Sequence, residues 1–152
     1  MNNQPGTYAI VLKSASECSI RVGKLGMLRV QVGYYVYVGS AFGPGGLAAR
    51  VAHHQRTSHR SRWHIDYLRS ATEICEMWYT FDPGPREHQW AETLAAASES
   101  TMPFPGFGSS DCNCLTHLYH FKSKPTIASF RRRLRVRIKD HEKIFIEYAP
   151  DR

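Results

Sequence analysis

The stretch that decides the fold runs from Gly33 to His54 and reads GYYVYVGSAFGPGGLAARVAHH. Its first part is rich in tyrosine and valine, which favour a pleated strand. Four glycines and a proline follow, and glycine leaves the backbone open to a closely approaching ligand. From Leu47 onward an apolar face with a four-residue spacing predicts a helix. The strand, turn and helix should therefore bring Tyr37, Arg50 and His54 around one small volume.

Length and composition predict one globular domain. A chain of 152 residues, 42% of them hydrophobic, can bury a real core and is ordinary for a soluble protein. No apolar run approaches the length of a membrane span, and the N-terminal residues lack the basic region of a secretory signal. We therefore expect a cytoplasmic protein.

The charge is positive and unevenly distributed. The formal net charge is +7, and residues 121–152 hold 10 of the 20 Lys and Arg but 4 of the 13 acidic residues. A local positive field attracts polyanions. The other interpretation is a solvated basic surface, but the pattern favours contact with nucleic acid.

The order of the predicted elements indicates an α+β fold, with a small mixed or antiparallel sheet flanked by helices. Apolar alternation or continuous apolar runs predict strands over residues 7–12, 18–22, 27–32, 35–38, 73–81 and 117–121. Helical spacing predicts helices from residue 47, over residues 63–70 and over residues 86–97.

The C-terminal region alternates strictly from Phe130 to Lys139, with Leu134, Val136 and Ile138 on one side and cations on the other. With a returning strand at 144–148, this pattern predicts a basic β-hairpin, which could bind phosphates. A charged edge that discourages aggregation is the alternative role. We therefore divide the chain into a core domain, residues 1–124, and a basic extension, residues 125–152, packed on it.

Two triplets, Gly6-Thr7-Tyr8 and Tyr37-Val38-Gly39, are followed by Arg50 on the predicted helix. Two further segments read WHIDYL at 63–68 and GFGSSDCNC at 106–114. In order and spacing these motifs resemble the GIY-YIG nuclease superfamily, and within it the compact stand-alone branch of Uri-type proteins. The resemblance covers residues 6–121.

The resemblance implies a metal-dependent endonuclease. Tyr8 would orient or deprotonate the attacking water, Tyr37 would support it by hydrogen bonding, and Arg50 would stabilise the phosphate. A helix glutamate would bind Mg²⁺ or Mn²⁺, and Glu87 fits because it opens the helix after the post-core strand. Glu92 is the second choice. The branch usually has a cysteine after that glutamate, where this chain has His88.

Further candidates surround this set. The resemblance implies that His54, one turn after the arginine, contacts phosphate or supports the site. The predicted nucleic-acid contacts are cations of the loop after the helix and of the hairpin: Arg56, Arg60, Arg62, Arg133, Arg135, Arg137 and Lys139. The predicted supporting residues lie in the motifs themselves: Gly39, His64, Asp66, Ser110 and Asp111.

Several alternatives stay open from the sequence. His64 and Asp66 either hold a helix end or contact substrate, and Ser110 and Asp111 either line the site or fix their loop. Cys112 and Cys114 are spaced too closely for a zinc ribbon, so packed thiols are expected. With His117 three residues on, a metal site is the alternative.

The expected partner is nucleic acid, DNA rather than RNA, with no membrane and no small-molecule cofactor. A binding protein that keeps the fold without catalysis is the alternative function, and an enzyme acting on another phosphodiester is a third.

Overall fold

A six-stranded sheet forms the centre of the computed structural model, which describes residues 2–56, 63–108 and 116–149. Its strands, ordered β6-β7-β4-β1-β5-β8 across the sheet, are all paired antiparallel. In chain order they are β1 (Thr7–Ser14), β4 (Gly33–Ser40), β5 (Glu73–Thr80), β6 (Ser100–Thr101), β7 (Leu118–Phe121) and β8 (Ile144–Tyr148). The hairpin of β2 (Cys18–Val22) and β3 (Gly26–Val30) forms a separate two-stranded sheet. The α+β fold predicted from the sequence is confirmed, and it fits a GIY-YIG-like arrangement.

In the described part of the chain, four α-helices cover the sheet: α1 (Gly46–Gln55), α2 (His64–Arg69), α3 (Glu87–Ala95) and α4 (Ile127–Arg137). Among the described residues, no helix combines the length and the apolar character needed to cross a membrane.

The two faces of the sheet carry different layers, because successive side chains of a strand point to opposite sides. Tyr8 and Tyr37 lie on one face, in a core that also contains Leu47 of α1 and Leu68 of α2. The intervening residues of the same strands lie in a second core with Trp78, Trp90, Phe130 and Leu134, from β5, α3 and α4. The sequence of β1, buried on both faces, reads accordingly as a continuous apolar run.

The predicted C-terminal hairpin is wrong. Residues 127–137 form helix α4, whose Thr126 accepts a hydrogen bond from Ser129 N at the helix start. Strand β8 does exist, but it pairs with β5 at the edge of the main sheet. The division of the chain at residue 124 stays a prediction.

The helix forms because a second apolar pattern runs through the same residues. Phe130, Leu134 and Ile138 are spaced by four, and all three are buried. Val136, which a strand would place beside Leu134, is 81% exposed. Arginine is also a good helix former, so local propensity favours the helix.

The connection between α4 and β8 is tied to the start of α3. Trp90 Nε1 donates a hydrogen bond to His141 Nε2 at 3.0 Å, and Glu142 N donates one to Asp82 Oδ2 at 3.1 Å. The same Asp82 oxygen lies 3.1 Å from Arg86 Nε, in an ion pair that is almost fully buried on the aspartate side. We call this group, Asp82, Arg86, Trp90, His141 and Glu142, the α3 clasp.

Truncation of Leu134 tests the helical assignment of α4. We expect Leu134→Ala to lower the free energy of unfolding by about 2–5 kcal/mol, because it opens a cavity in the core. The control, Val136→Ala, should change it by less than about 0.5 kcal/mol, since Val136 faces solvent. Urea denaturation measures both. Equal losses would contradict the helix, because a strand would point both residues to one side.

Candidate active site

Tyr8 and Tyr37 come together because their strands are neighbours. Strands β1 and β4 pair so that Tyr8 lies opposite Gly39. The Tyr8 ring covers this glycine: a Cβ added to Gly39 would lie 2.5 Å from Tyr8 Cζ and closer still to its hydroxyl oxygen. Residue 39 must therefore be glycine, because a side chain there would occupy the space of the Tyr8 ring. Both tyrosines are buried.

Helix α1 supplies the next two groups. Arg50 and His54 are one turn apart, so they share a face of the helix. His54 is 1% exposed, and its Nε2 lies 2.7 Å from the Tyr8 hydroxyl oxygen, with the tautomer of the ring deciding which group donates. Within the described residues, His54 Nδ1 has no hydrogen-bond partner. The imidazole is therefore directed at Tyr8 rather than into a wider network.

Burial keeps these groups uncharged at neutral pH. It lowers the pKa of His54 to about 3, against the opposing effect of the Asp66 carboxylate. Burial also raises the pKa of both tyrosines well above the usual value. The pair of Tyr8 and His54 is therefore a neutral hydrogen-bonded pair, able to pass a proton only if a charge enters the site.

Arg50 and Glu87 bring the formal charges. The Arg50 guanidinium lowers the pKa of Tyr8, while the Glu87 carboxylate raises it. The same two residues act in the same opposite directions on the pKa of Tyr37, where the effect of Glu87 is the larger. Since Coulomb effects of this kind fall with distance, Arg50 and Glu87 lie within electrostatic range of both tyrosines.

Glu87 comes from the other layer of the fold and contacts His117. It is the first residue of α3, and its carboxylate Oε1 lies 3.0 Å from His117 Nδ1. The glutamate side chain is 24% exposed, whereas that of His117 is 2% exposed. The partly exposed carboxylate therefore lies between the buried imidazole and solvent.

The Trp63 ring is a support that the sequence did not single out. The Arg50 guanidinium carbon lies 4.5 Å from the centroid of this ring, in a cation–π contact. The ring of His53 packs on the same indole at 4.2 Å. Trp63 thus restrains the arginine on the side away from Tyr8. The tryptophan directly before α2 was the available signal, within the motif WHIDYL.

His64 and Asp66 hold the surrounding backbone. Asp66 Oδ2 accepts a hydrogen bond from Trp63 N at 2.8 Å at the start of α2, and Asp66 Oδ1 lies 3.0 Å from His53 Nε2. His64 Nδ1 accepts one from Gly108 N at 2.8 Å. The sequence left open whether His64 and Asp66 hold the backbone in place or contact substrate. These contacts hold the backbone in place. Contact with a substrate stays a prediction.

His117 is the second residue of the site that the sequence did not assign to it: the sequence raised His117 only as a possible metal ligand with Cys112 and Cys114. Its neighbour Leu118 pairs with Tyr37, and its carbonyl accepts a hydrogen bond from Val38 N at 3.0 Å. Strand β7 pairs with β4 although the two strands are far apart in the sequence. Nothing in the local sequence therefore predicts the contact between His117 and Glu87.

The remaining predicted residues divide into three groups. Arg56 is exposed at the end of α1, near the other α1 groups of the site. The cations of α4 lie in the layer on the opposite face of the sheet, where Arg133 pairs with Glu99 at 3.2 Å and Arg137 with Glu92 at 3.6 Å. Lys139 is exposed two residues after the end of this helix. The rest lie outside the described residues: Arg60, Arg62, Ser110, Asp111, Cys112 and Cys114.

Substitution of Gly39 tests the packing of Tyr8. We expect Gly39→Ala to destabilise the protein by about 1–3 kcal/mol, because the new methyl group must displace a fully buried ring. The matched control is Gly43→Ala, where an added Cβ meets nothing within 4 Å. Urea denaturation compares the two variants. A Gly39→Ala protein as stable as Gly43→Ala would show that the ring is not confined as described.

The lowered pKa of His54 predicts a pH dependence of stability. As the pH falls below about 6.5, His54 becomes protonated in the unfolded protein. In the folded protein it stays neutral until the pH reaches about 3. Stability is therefore complete above that window and is lost as the pH falls through it, by up to about 1.4 kcal/mol per pH unit. His54→Gln should show a correspondingly smaller slope between about pH 4 and 6. Urea denaturation across this range decides, and identical slopes in both proteins would contradict the neutral, buried state of His54.

Comparison with known proteins gives one match. The family described as domain of unknown function DUF123 matches residues 7–140. Neither a curated protein nor a solved structure matches the chain. The matched range contains Tyr8, Tyr37, Arg50 and Glu87, together with the sheet and helices that hold them. Since the match covers most of its length, the chain belongs to the DUF123 family.

Proposed function

We propose that this protein is a divalent-metal-dependent endonuclease of the GIY-YIG type, hydrolysing phosphodiester bonds in nucleic acid, and DNA in preference to RNA. The observation that carries the proposal is the contact of Tyr8 with His54 at 2.7 Å, beside the charges of Arg50 and Glu87. These are the groups that the resemblance assigns to water activation, phosphate binding and metal binding. The motifs GTY and YVG supply the two tyrosines.

Tyr8 and His54 would act on the attacking water. Because burial raises the pKa of Tyr8, its hydroxyl is a hydrogen-bonding group at neutral pH and orients the water rather than deprotonating it. His54 Nε2, 2.7 Å away, belongs to an uncharged ring that can hold the hydroxyl in one direction. Tyr37 lies edge-on to the His54 ring, at 6.1 Å between centroids, and closes the site beside it.

Arg50 would bind the phosphate. A guanidinium can donate two parallel hydrogen bonds to phosphate oxygens, and its charge opposes the negative charge that grows on the pentavalent phosphorus. The Trp63 ring against it reduces the number of orientations the arginine can adopt. This restraint lowers the entropy that would be lost when the phosphate binds.

A divalent cation fits the donor set around Glu87. Mg²⁺ and Mn²⁺ are commonly held by one or two protein carboxylates, with waters and substrate phosphate completing the shell. The part-exposed Glu87 carboxylate meets this requirement, and within residues 2–56, 63–108 and 116–149 no cluster of three acidic, His or Cys side chains is assembled. When bound, the ion would supply positive charge to the phosphate and lower the pKa of nearby hydroxyls.

The nucleic acid would reach the site along the end of α1. Arg50 and the exposed Arg56 belong to the same helix, so phosphates on either side of the scissile bond would meet cations of one element. Helix α4 covers the opposite face of the sheet. Its cations could therefore contact only a part of the substrate that passes around the protein, or a different substrate molecule.

A cleavage assay with carboxylate variants tests the proposal. Single- and double-stranded DNA and RNA are incubated with Mg²⁺ or Mn²⁺, and with a chelator. We expect cleavage that needs the ion and a loss of about 10²-fold or more in Glu87→Gln and Tyr8→Phe, since each removes a group aimed at the reacting atoms. The control is Glu92→Gln on the same helix, whose carboxylate is 64% exposed and faces Arg137; it should retain activity.

Three outcomes would contradict the proposal. Full activity in the presence of the chelator would exclude the metal dependence. Full activity of Glu87→Gln would exclude the metal ligand. Binding of nucleic acid without cleavage of any of the four substrates would make the protein a binding module that keeps the fold.

A further inference from the structure

The contact between Glu87 and His117 has a geometry suited to an ion. The carboxylate Oε1 and the imidazole Nδ1 are 3.0 Å apart. Two adjacent ligands of an octahedral ion, each at about 2.1 Å, are separated by about 3.0 Å. The two atoms therefore already have the spacing of neighbouring ligands.

His117 is held rigidly in this position. Its backbone N donates a hydrogen bond to Phe107 O at 2.8 Å, and its carbonyl accepts one from Val38 N at 3.0 Å. A Cβ added to Gly108 would lie 3.4 Å from His117 Cβ and 2.8 Å from the Tyr37 ring, so the loop lies directly against both side chains. A ligand fixed by its surroundings in this way loses little entropy when it binds an ion.

Access to the two atoms comes through the glutamate. The His117 side chain is 2% exposed, but that of Glu87 is 24% exposed, at the first residue of α3. An ion can therefore approach from solvent and keep several of its waters, while the imidazole binds from the protein side.

We propose that His117 Nδ1 is a second protein ligand, and that it forms with Glu87 a nitrogen–oxygen pair selecting Mn²⁺ over Mg²⁺. Imidazole binds transition ions more readily than Mg²⁺, which prefers oxygen ligands alone. The inference deepens the proposed function and depends on it only for what the bound ion is used for. It gives this site an ion preference that a lone carboxylate would not provide.

Mn²⁺ binding followed by electron paramagnetic resonance tests the ligand directly. The wild-type protein is titrated with Mn²⁺, and electron spin echo modulation reports any nitrogen-14 nucleus bonded to the ion. We expect a single imidazole nitrogen in the wild type and in His88→Gln. His88 is an exposed histidine whose ring centroid lies 6.4 Å from that of His117, which makes it the matched control.

In His117→Gln the nitrogen signal should disappear, and Mn²⁺ affinity should fall by about tenfold or more. Competition with Mg²⁺ should show a Mn²⁺ preference in the wild type that this variant has lost. Since a buried position is changed, circular dichroism first checks the fold. If the variant does not fold, Glu87→Gln replaces it, because loss of the carboxylate should remove both the bound ion and the nitrogen signal.

The inference is overturned if wild-type protein binds Mn²⁺ without a nitrogen signal, if the signal persists in His117→Gln, or if no Mn²⁺ binds at millimolar concentration. In the first case His117 only hydrogen-bonds the glutamate. The readout is independent of cleavage. A protein that binds Mn²⁺ through nitrogen but cleaves nothing would contradict the proposed function alone, and one that cleaves without a nitrogen signal would contradict this inference alone.

Discussion

The contact between the Tyr8 hydroxyl and His54 Nε2 is the constraint around which the site is built. It joins β1, at the middle of the sheet, to α1, and both groups are almost completely buried. A buried polar group that loses its partner costs about 1–3 kcal/mol, so neither residue can leave the pair without a penalty. The pair therefore fixes where α1 lies on the sheet, and with α1 it fixes the position of Arg50.

The residues of the candidate site come from the two layers on opposite faces of the sheet. The tyrosines, His54 and Arg50 belong to the layer of α1 and α2. Glu87 belongs to α3, which packs on the other face through Trp90 and Leu94. The carboxylate contacts His117, which precedes β7, because Glu87 is the first residue of α3. Arg50 and Glu87, the two charged groups of the site, thus belong to different layers. The distance between the two charges depends on the sheet that separates these layers.

The sequence predicted the parts of the site that follow one another closely. Tyr37, Gly39, Arg50 and His54 lie within one strand–turn–helix unit, where local spacing is enough to place them together. The sequence raised His117 only as a possible metal ligand with Cys112 and Cys114. Its place in this site could not be predicted, because only the pairing of β7 with β4 brings it near Tyr37. The hairpin prediction failed because Leu134 and Ile138 satisfy both a period of two and a spacing of four. Which pattern applies is decided by the second core, where Phe130 extends the spacing of four.

The α3 clasp has a consequence for the C-terminal region. Glu142 and His141 hold Asp82 and Trp90, and Asp82 pairs with Arg86, the residue directly before Glu87. The chain that follows α4 therefore braces the backbone from which the carboxylate projects. A shortened protein that ends before residue 141 would lose these contacts at the start of α3 together with the edge strand β8. The basic tail is consequently a structural part of the carboxylate's support, whatever it binds on its outer surface.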